Sequence, residues 1–119
     1  MVKSEWFEVI KSHTIAAGTY QPYFEPVIDT LADILDKRDL ALNEFETAGK
    51  GKVLVAHTNV GGKKNIEQNP ALRLVNDLNR DALAYWRDLG LTPAGLRKLN
   101  AEVVQNKNAG NLEKLLAKL

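Results

Sequence analysis

The chain has no cysteine, which excludes disulfides and thiolate-held metal. Histidine is almost as scarce. His13 and His57 are the only two, they fall in different segments, and no set of further ligands stands at metal-binding spacing. No metal and no cofactor is therefore expected. There is no run of about 18 apolar residues, so no membrane-spanning helix is expected. The segment Met1-Val2-Lys3-Ser4-Glu5-Trp6, followed by Glu8, does not read as a signal peptide. The expected location is the cytoplasm. Enzyme motifs are missing too. Gly49-Lys50-Gly51-Lys52 and Gly61-Gly62-Lys63-Lys64 are superficially like phosphate loops, but neither fits G-x-x-x-x-G-K-[ST]. The carboxylates of residues 29–46 are spread around one long helix. A solvated face, with Asp33 and Lys37 as an i,i+4 pair, accounts for most of them. The expectation is a protein that is not an enzyme.

What is present fits an ordinary soluble domain. Hydrophobic residues make up 45% and charged residues 26% of 119, a length suited to one domain. The formal net charge of +1 is uninformative, but its distribution is not. Asp29, Asp33, Asp36, Asp39, Glu44 and Glu46 stand against only Lys37 and Arg38. Residues 47–66 then contain no acid but carry Lys50, Lys52, Lys63 and Lys64. Beyond them Arg97, Lys98, Lys107, Lys114 and Lys118 face Glu102 and Glu113. An acidic helix thus borders a basic loop and a mildly basic tail.

The fold class expected from the pattern is mainly α, in a single helical domain over 1–119. Residues 1–18 hold an N-terminal helix with Trp6, Phe7 and Ile10 on one face and Gly18 as its C-cap. A long helix spans 21–48. Pro22 suits a first turn, and Pro26 marks either a kink or the true start. Phe24, Ile28, Leu31, Leu35, Leu42 and Phe45 follow steps of four and three if Arg38 fills one slot, a heptad-like seam widened by Val27, Ile34 and Ala41. Such a seam packs within the chain or against other subunits, and spacing alone does not choose between them. Residues 49–66 read as a basic glycine-rich loop with a short extended or β-hairpin segment near 52–60. A helical hairpin covers 69–106, and Leu112, Leu115, Leu116 and Leu119 form an amphipathic tail over 111–119.

The hairpin is the best-punctuated part. Asn69-Pro70 caps and opens its first helix, Gly90 closes it, and Thr92-Pro93 opens the second. These residues also carry a resemblance. Asn69-Pro70, then Leu89-Gly90-Leu91-Thr92-Pro93, then Arg97 and Leu99, resemble the C-terminal signature of a family of phage terminase small subunits. The upstream order is similar: Trp6, a long acidic and apolar helix to Ala48, the Gly49 turn, a short extended piece and Gly61-Gly62. The chain departs from the family after Thr-Pro, where Ala94-Gly95-Leu96-Arg97 replaces a shorter run of two small residues and Arg.

The resemblance implies a non-catalytic component of viral genome packaging. It implies recognition of double-stranded DNA at the packaging-initiation site, assembly into rings, and delivery of DNA to a large subunit carrying the ATPase and nuclease. No membrane role follows. Within that frame the expected DNA contacts are Lys50, Lys52, Lys63 and Lys64, with Arg97 and Lys98 as a second group. The seam residues Phe24, Ile28, Leu31, Leu35, Leu42 and Phe45 are expected to oligomerise, and Leu112, Leu115, Leu116 and Leu119 to dock a partner. Two other readings stay open. One is a helix-turn-helix regulator reading bases with Arg97, Lys98, Asn100, Gln105 and Asn106. The other is a helical oligomeric adaptor with no nucleic-acid role.

Overall fold

A computed structural model of the chain describes residues 1–58 and 60–102. The expected tail leucines Leu112, Leu115, Leu116 and Leu119, and Gln105 and Asn106, lie outside the described residues. Helix α1 runs over Lys3–Ala17, a 3-10 turn over Pro22–Phe24, α2 over Glu25–Thr47 and α3 over Pro70–Asp88. Strands β1 (Leu54–Thr58) and β2 (Lys64–Gln68) stand between α2 and α3. Residues 93–102 are helical and are called α4 below. The architecture is mainly α with one antiparallel hairpin, as the pattern suggests.

Two boundaries differ from the expectation. The long helix does not begin at residue 21, because Pro22–Phe24 form a tighter turn and Pro26 sits in the first turn of α2. Pro26 therefore marks the start of the helix and not a kink within it. The extended segment also reaches further, since Lys64–Gln68 is a second full strand paired from Leu54↔Gln68 to Thr58↔Lys64. Lys-Asn-Ile-Glu-Gln has no apolar alternation and one β-branched residue, so period-two reasoning passes over it.

The core lies where α1, α2 and α3 meet. Ile10, Ile28, Leu31, Ala32, Leu35, Ala82 and Leu89 are buried together, bordered by Trp6, Phe7, Phe24, Tyr85 and Trp86. The slot that Arg38 takes in the α2 seam is filled by a polar knot. Its guanidinium lies 5.4 Å from the Trp6 ring centroid and donates to Asp39 Oδ1 and to Asn79 Oδ1. Trp6 Nε1 donates to Asp39 Oδ2 at 2.7 Å. One residue thereby ties all three helices together. A second set links α1 to the start of α2: Lys11 Nζ and the Tyr20 hydroxyl both donate to Glu25 Oε1, at 3.2 and 2.9 Å.

Helix ends follow the capping logic. Gly18 (φ 75°) and Gly90 (φ 74°) occupy left-handed positions, each followed by a residue whose N–H bonds back over one turn, Thr19 to Thr14 O and Leu91 to Trp86 O. Thr19 Oγ1 then donates to Leu89 O at 2.8 Å, joining the end of α1 to the end of α3. Thr92 Oγ1 accepts from Gly95 N at 3.1 Å and caps α4. Gly95 is buried against the end of α3. A Cβ there would collide with the Arg87 carbonyl oxygen and lie 2.9 Å from its carbon. The residue that weakens a helix start by propensity is the one that lets α4 cross α3 backbone to backbone.

Candidate nucleic-acid interface

The α2–α3 connection begins with a reversal built from Gly49-Lys50-Gly51-Lys52. Lys50 (φ 51°) and Gly51 (φ 69°) are consecutive left-handed residues, and Gly51 N–H bonds to Phe45 O at 2.9 Å. A lysine at positive φ is uncommon for a residue with a Cβ. This turn throws the chain outward into β1, and Gly62 (φ 80°) helps bring it back into β2.

Asn69 anchors the base. Its side chain is buried and makes two bonds: Oδ1 accepts from Ala71 N, and Nδ2 donates to Lys52 O, both at 3.0 Å. Its own N–H bonds to Val53 O at 2.7 Å. The N-cap of α3 is thus also the clasp that closes the hairpin. A Cβ on Gly49 would lie 2.6 Å from Asn69 Nδ2, so the small residue there makes room for the clasp.

Beyond the clasp the hairpin is open to solvent. Leu54 is 60% and Ile66 75% exposed, and Val53 and Val60 are exposed as well. A two-stranded hairpin in water is marginal by itself. Lys50, Lys52, Lys63 and Lys64 are all exposed. Among the described residues, none of them pairs with a carboxylate. They do not form one cluster. Lys50 and Lys52 stand at the base, and Lys63 and Lys64 at the far end of strands about 14 Å long at ~3.4 Å per residue.

Arg97 and Lys98 lie elsewhere. They are exposed on α4, at the opposite end of α3, roughly 28 Å from the hairpin base at 1.5 Å per residue. Lys98 borders a shallow cavity of about 230 Å³ with Arg87, Asp88 and Glu102. Leu96 and Leu99 are half-buried in the α3–α4 turn. The expected seam divides as well. Ile28, Leu31 and Leu35 are fully buried within the chain, Phe24 and Phe45 are half-buried, and Leu42 is exposed, with Leu40 beside it. Among the described residues, the part of the seam left least covered is its later end, at Leu42 and Phe45.

Electrostatics set the two ends apart. Burial alone would raise the Asp39 carboxyl, but the Trp6 N–H, the Met1 ammonium and Arg38 outweigh it and hold it below its ordinary 3.8. Glu25 is lowered from 4.5 by hydrogen bonds from Tyr20 and then Lys11. Lys11 is raised from 10.5, chiefly by its hydrogen bond to Glu25. These shifts all stabilise the helical end. Sequence reasoning missed this network and the Asn69 clasp, because both depend on residues far apart in the chain. It found the caps, which are local.

No grouping of three histidine or acidic side chains suited to a metal ion occurs among the described residues. No helix among them is long and apolar enough to cross a membrane. In comparisons with known proteins, residues 3–106 match the family model described as phage terminase, small subunit. No curated protein and no solved structure matches the chain.

Proposed function

The chain belongs to the phage terminase small subunits and has a role in phage DNA packaging, and from that premise we propose that it is the non-catalytic, DNA-recognising component that assembles with copies of itself, as a ring, and delivers double-stranded DNA to the large ATPase and nuclease subunit. The observation that carries the DNA reading is the hairpin. Its four lysines are exposed and free of carboxylate partners among the described residues, on a segment clasped to the fold only at its base. Cations so placed suit phosphates, whose neutralisation releases counterions. The left-handed Lys50-Gly51 turn lets backbone and lysine approach a phosphate together. Arg97 and Lys98 form a second, separate positive group, suited to backbone contacts at a distance from the first.

Self-assembly draws support from what the core leaves uncovered. Leu40 and Leu42 on the second half of α2, and Leu74 on α3, stay exposed beyond the end of α1. Phe24, Ile28, Leu31 and Leu35 stabilise the single copy, so the oligomerising part of the seam is Leu42 with Phe45. Docking of the large subunit is assigned to Leu112, Leu115, Leu116 and Leu119.

Light scattering and DNA binding at varied salt test the proposal. The expected result is a mass several-fold above 13.2 kDa, with duplex binding that weakens steeply as salt rises. A protein that stays monomeric and shows no affinity for duplex DNA at low salt overturns it.

A further inference from the structure

Resting on the self-assembly proposed for the chain, we propose that the β-hairpin is also an assembly arm, and that one face of it seats in the groove between α1 and α2 of a second copy of this chain. The register gives the face its content. Leu54, Ala56 and Thr58 alternate to one side of β1, and their partners Gln68, Ile66 and Lys64 lie on the same side of β2. That side presents Leu54 and Ile66 with Lys64 at its outer end. Among the described residues no helix covers it, and both apolar side chains are exposed. A hairpin of two strands is held firmly only when such a face finds something to pack on.

The groove between α1 and α2 has the complementary character. It is an open depression of about 560 Å³, with Val2 and Phe7 as its apolar part, Lys3 and Ser4 beside them, and Glu8, Asp29 and Asp36 around it. Asp29 is already paired with Lys3 at 3.2 Å. Glu8 and Asp36 have no cationic partner among the described residues. Ile66 and Leu54 match the apolar part, and Lys64 matches Asp36 and Glu8. Opposite charges facing across an apolar contact fix its register and disfavour wrong pairings.

The occupant that this complementarity fits is the hairpin of a second copy. Asp36 and Thr47, where α2 ends just before the hairpin, are separated by about 16 Å of continuous helix at 1.5 Å per residue. The hairpin leaves from that end, clasped by Asn69, with Leu54 and Ile66 exposed, so its face is not seated in the groove of its own copy. A contact joining unlike surfaces is head-to-tail, and repeating it builds a ring or an open filament. The arm uses only Lys64 among the four lysines. Lys50, Lys52 and Lys63 remain outside the contact and available to phosphate.

Charge-swapped chains test this by light scattering without DNA, so the outcome is independent of whether the lysines bind phosphate. Lys64→Asp and Asp36→Lys should each weaken association about ten-fold, and the double variant should regain most of it. Ile66→Asp breaks the arm and keeps the groove; Asp36→Lys does the reverse. Mixed, they should regain one arm–groove contact per pair and associate more strongly than either variant does alone. Each variant is melted alongside at a dilution where the wild type is dissociated, since there the exposed Lys64 and Ile66 changes should leave the melting temperature unchanged. Wild-type association by Asp36→Lys alone would mean that hairpins pair with each other or meet a different partner, and overturns the proposal. So does a double variant that associates no better than either single change.

Discussion

Around α1 and the stretch of α2 up to Asp39, each lysine and arginine has a carboxylate: Lys3 with Asp29, Lys11 with Glu25, Lys37 with Asp33 and Arg38 with Asp39. On the hairpin, Lys50, Lys52, Lys63 and Lys64 have none among the described residues. The same contrast holds for apolar side chains. Leu31 and Leu35 are fully buried at one end, whereas Leu54 and Ile66 stand in solvent at the other. One end satisfies its groups internally and sets the fold. The other holds unpaired charge and uncovered apolar surface, which suits recognition of something outside the chain.

The contrast breaks most sharply in the core. Leu31→Ala should cost about 2–5 kcal/mol, as for other buried leucines, and lower the melting temperature in a thermal scan while leaving DNA affinity unchanged at temperatures where the variant is folded. Gly95→Ala comes next, at roughly 1–3 kcal/mol, because the new methyl meets the Arg87 backbone and not a movable side chain. Its signature is loss of protection at the α3–α4 junction in hydrogen exchange. Asn69→Ala should cost about 1–2 kcal/mol, since a helix cap and the bond to Lys52 O are lost together. Faster exchange of hairpin amides than of core amides would sharpen the division between the two ends.

The pH response belongs to the helical end. Asp39 and Glu25 are lowered in the folded chain. Their stabilisation is therefore complete above their ordinary values of 3.8 and 4.5, and is lost as pH falls through the lower folded values. Lys11 and Tyr20 are raised, so their share is present below 10.5 and 10.0 and is lost as pH rises through the higher folded values. Melting temperature should hold a plateau between and fall on the acid side. Asp39→Asn should flatten the acid limb. The smallest expected effect on stability is that of replacing Lys50, Lys52 or Lys63, within about 0.5 kcal/mol each for exposed side chains.

Legibility in the sequence followed the same line. Asn69-Pro70, Gly90 and Thr92-Pro93 announced the helix ends because capping is a local matter of one or two residues. Leu31 and Leu35 announced a seam, but spacing does not say who fills it, and α1 and α3 of the same chain cover most of it. The strand Lys64–Gln68 was illegible, since it buries neither face and so has no apolar rhythm. Gly95 pointed the wrong way. Propensity marks it as a weakness, and only the crossing of two backbones gives it a reason. The basic loop was legible as charge, but its division into a base pair and a tip pair of lysines required the register.

The central claim is that the lysines left free by the fold are the ones that meet DNA. The direct measurement is the slope of log affinity against log salt for a short duplex, comparing the wild type with a Lys50→Ala, Lys52→Ala, Lys63→Ala chain of unchanged melting temperature and unchanged mass. The account predicts weaker binding and a slope shallower by about 0.9 for each lysine that touches a phosphate. Equal affinity and an equal slope in the two chains would contradict it.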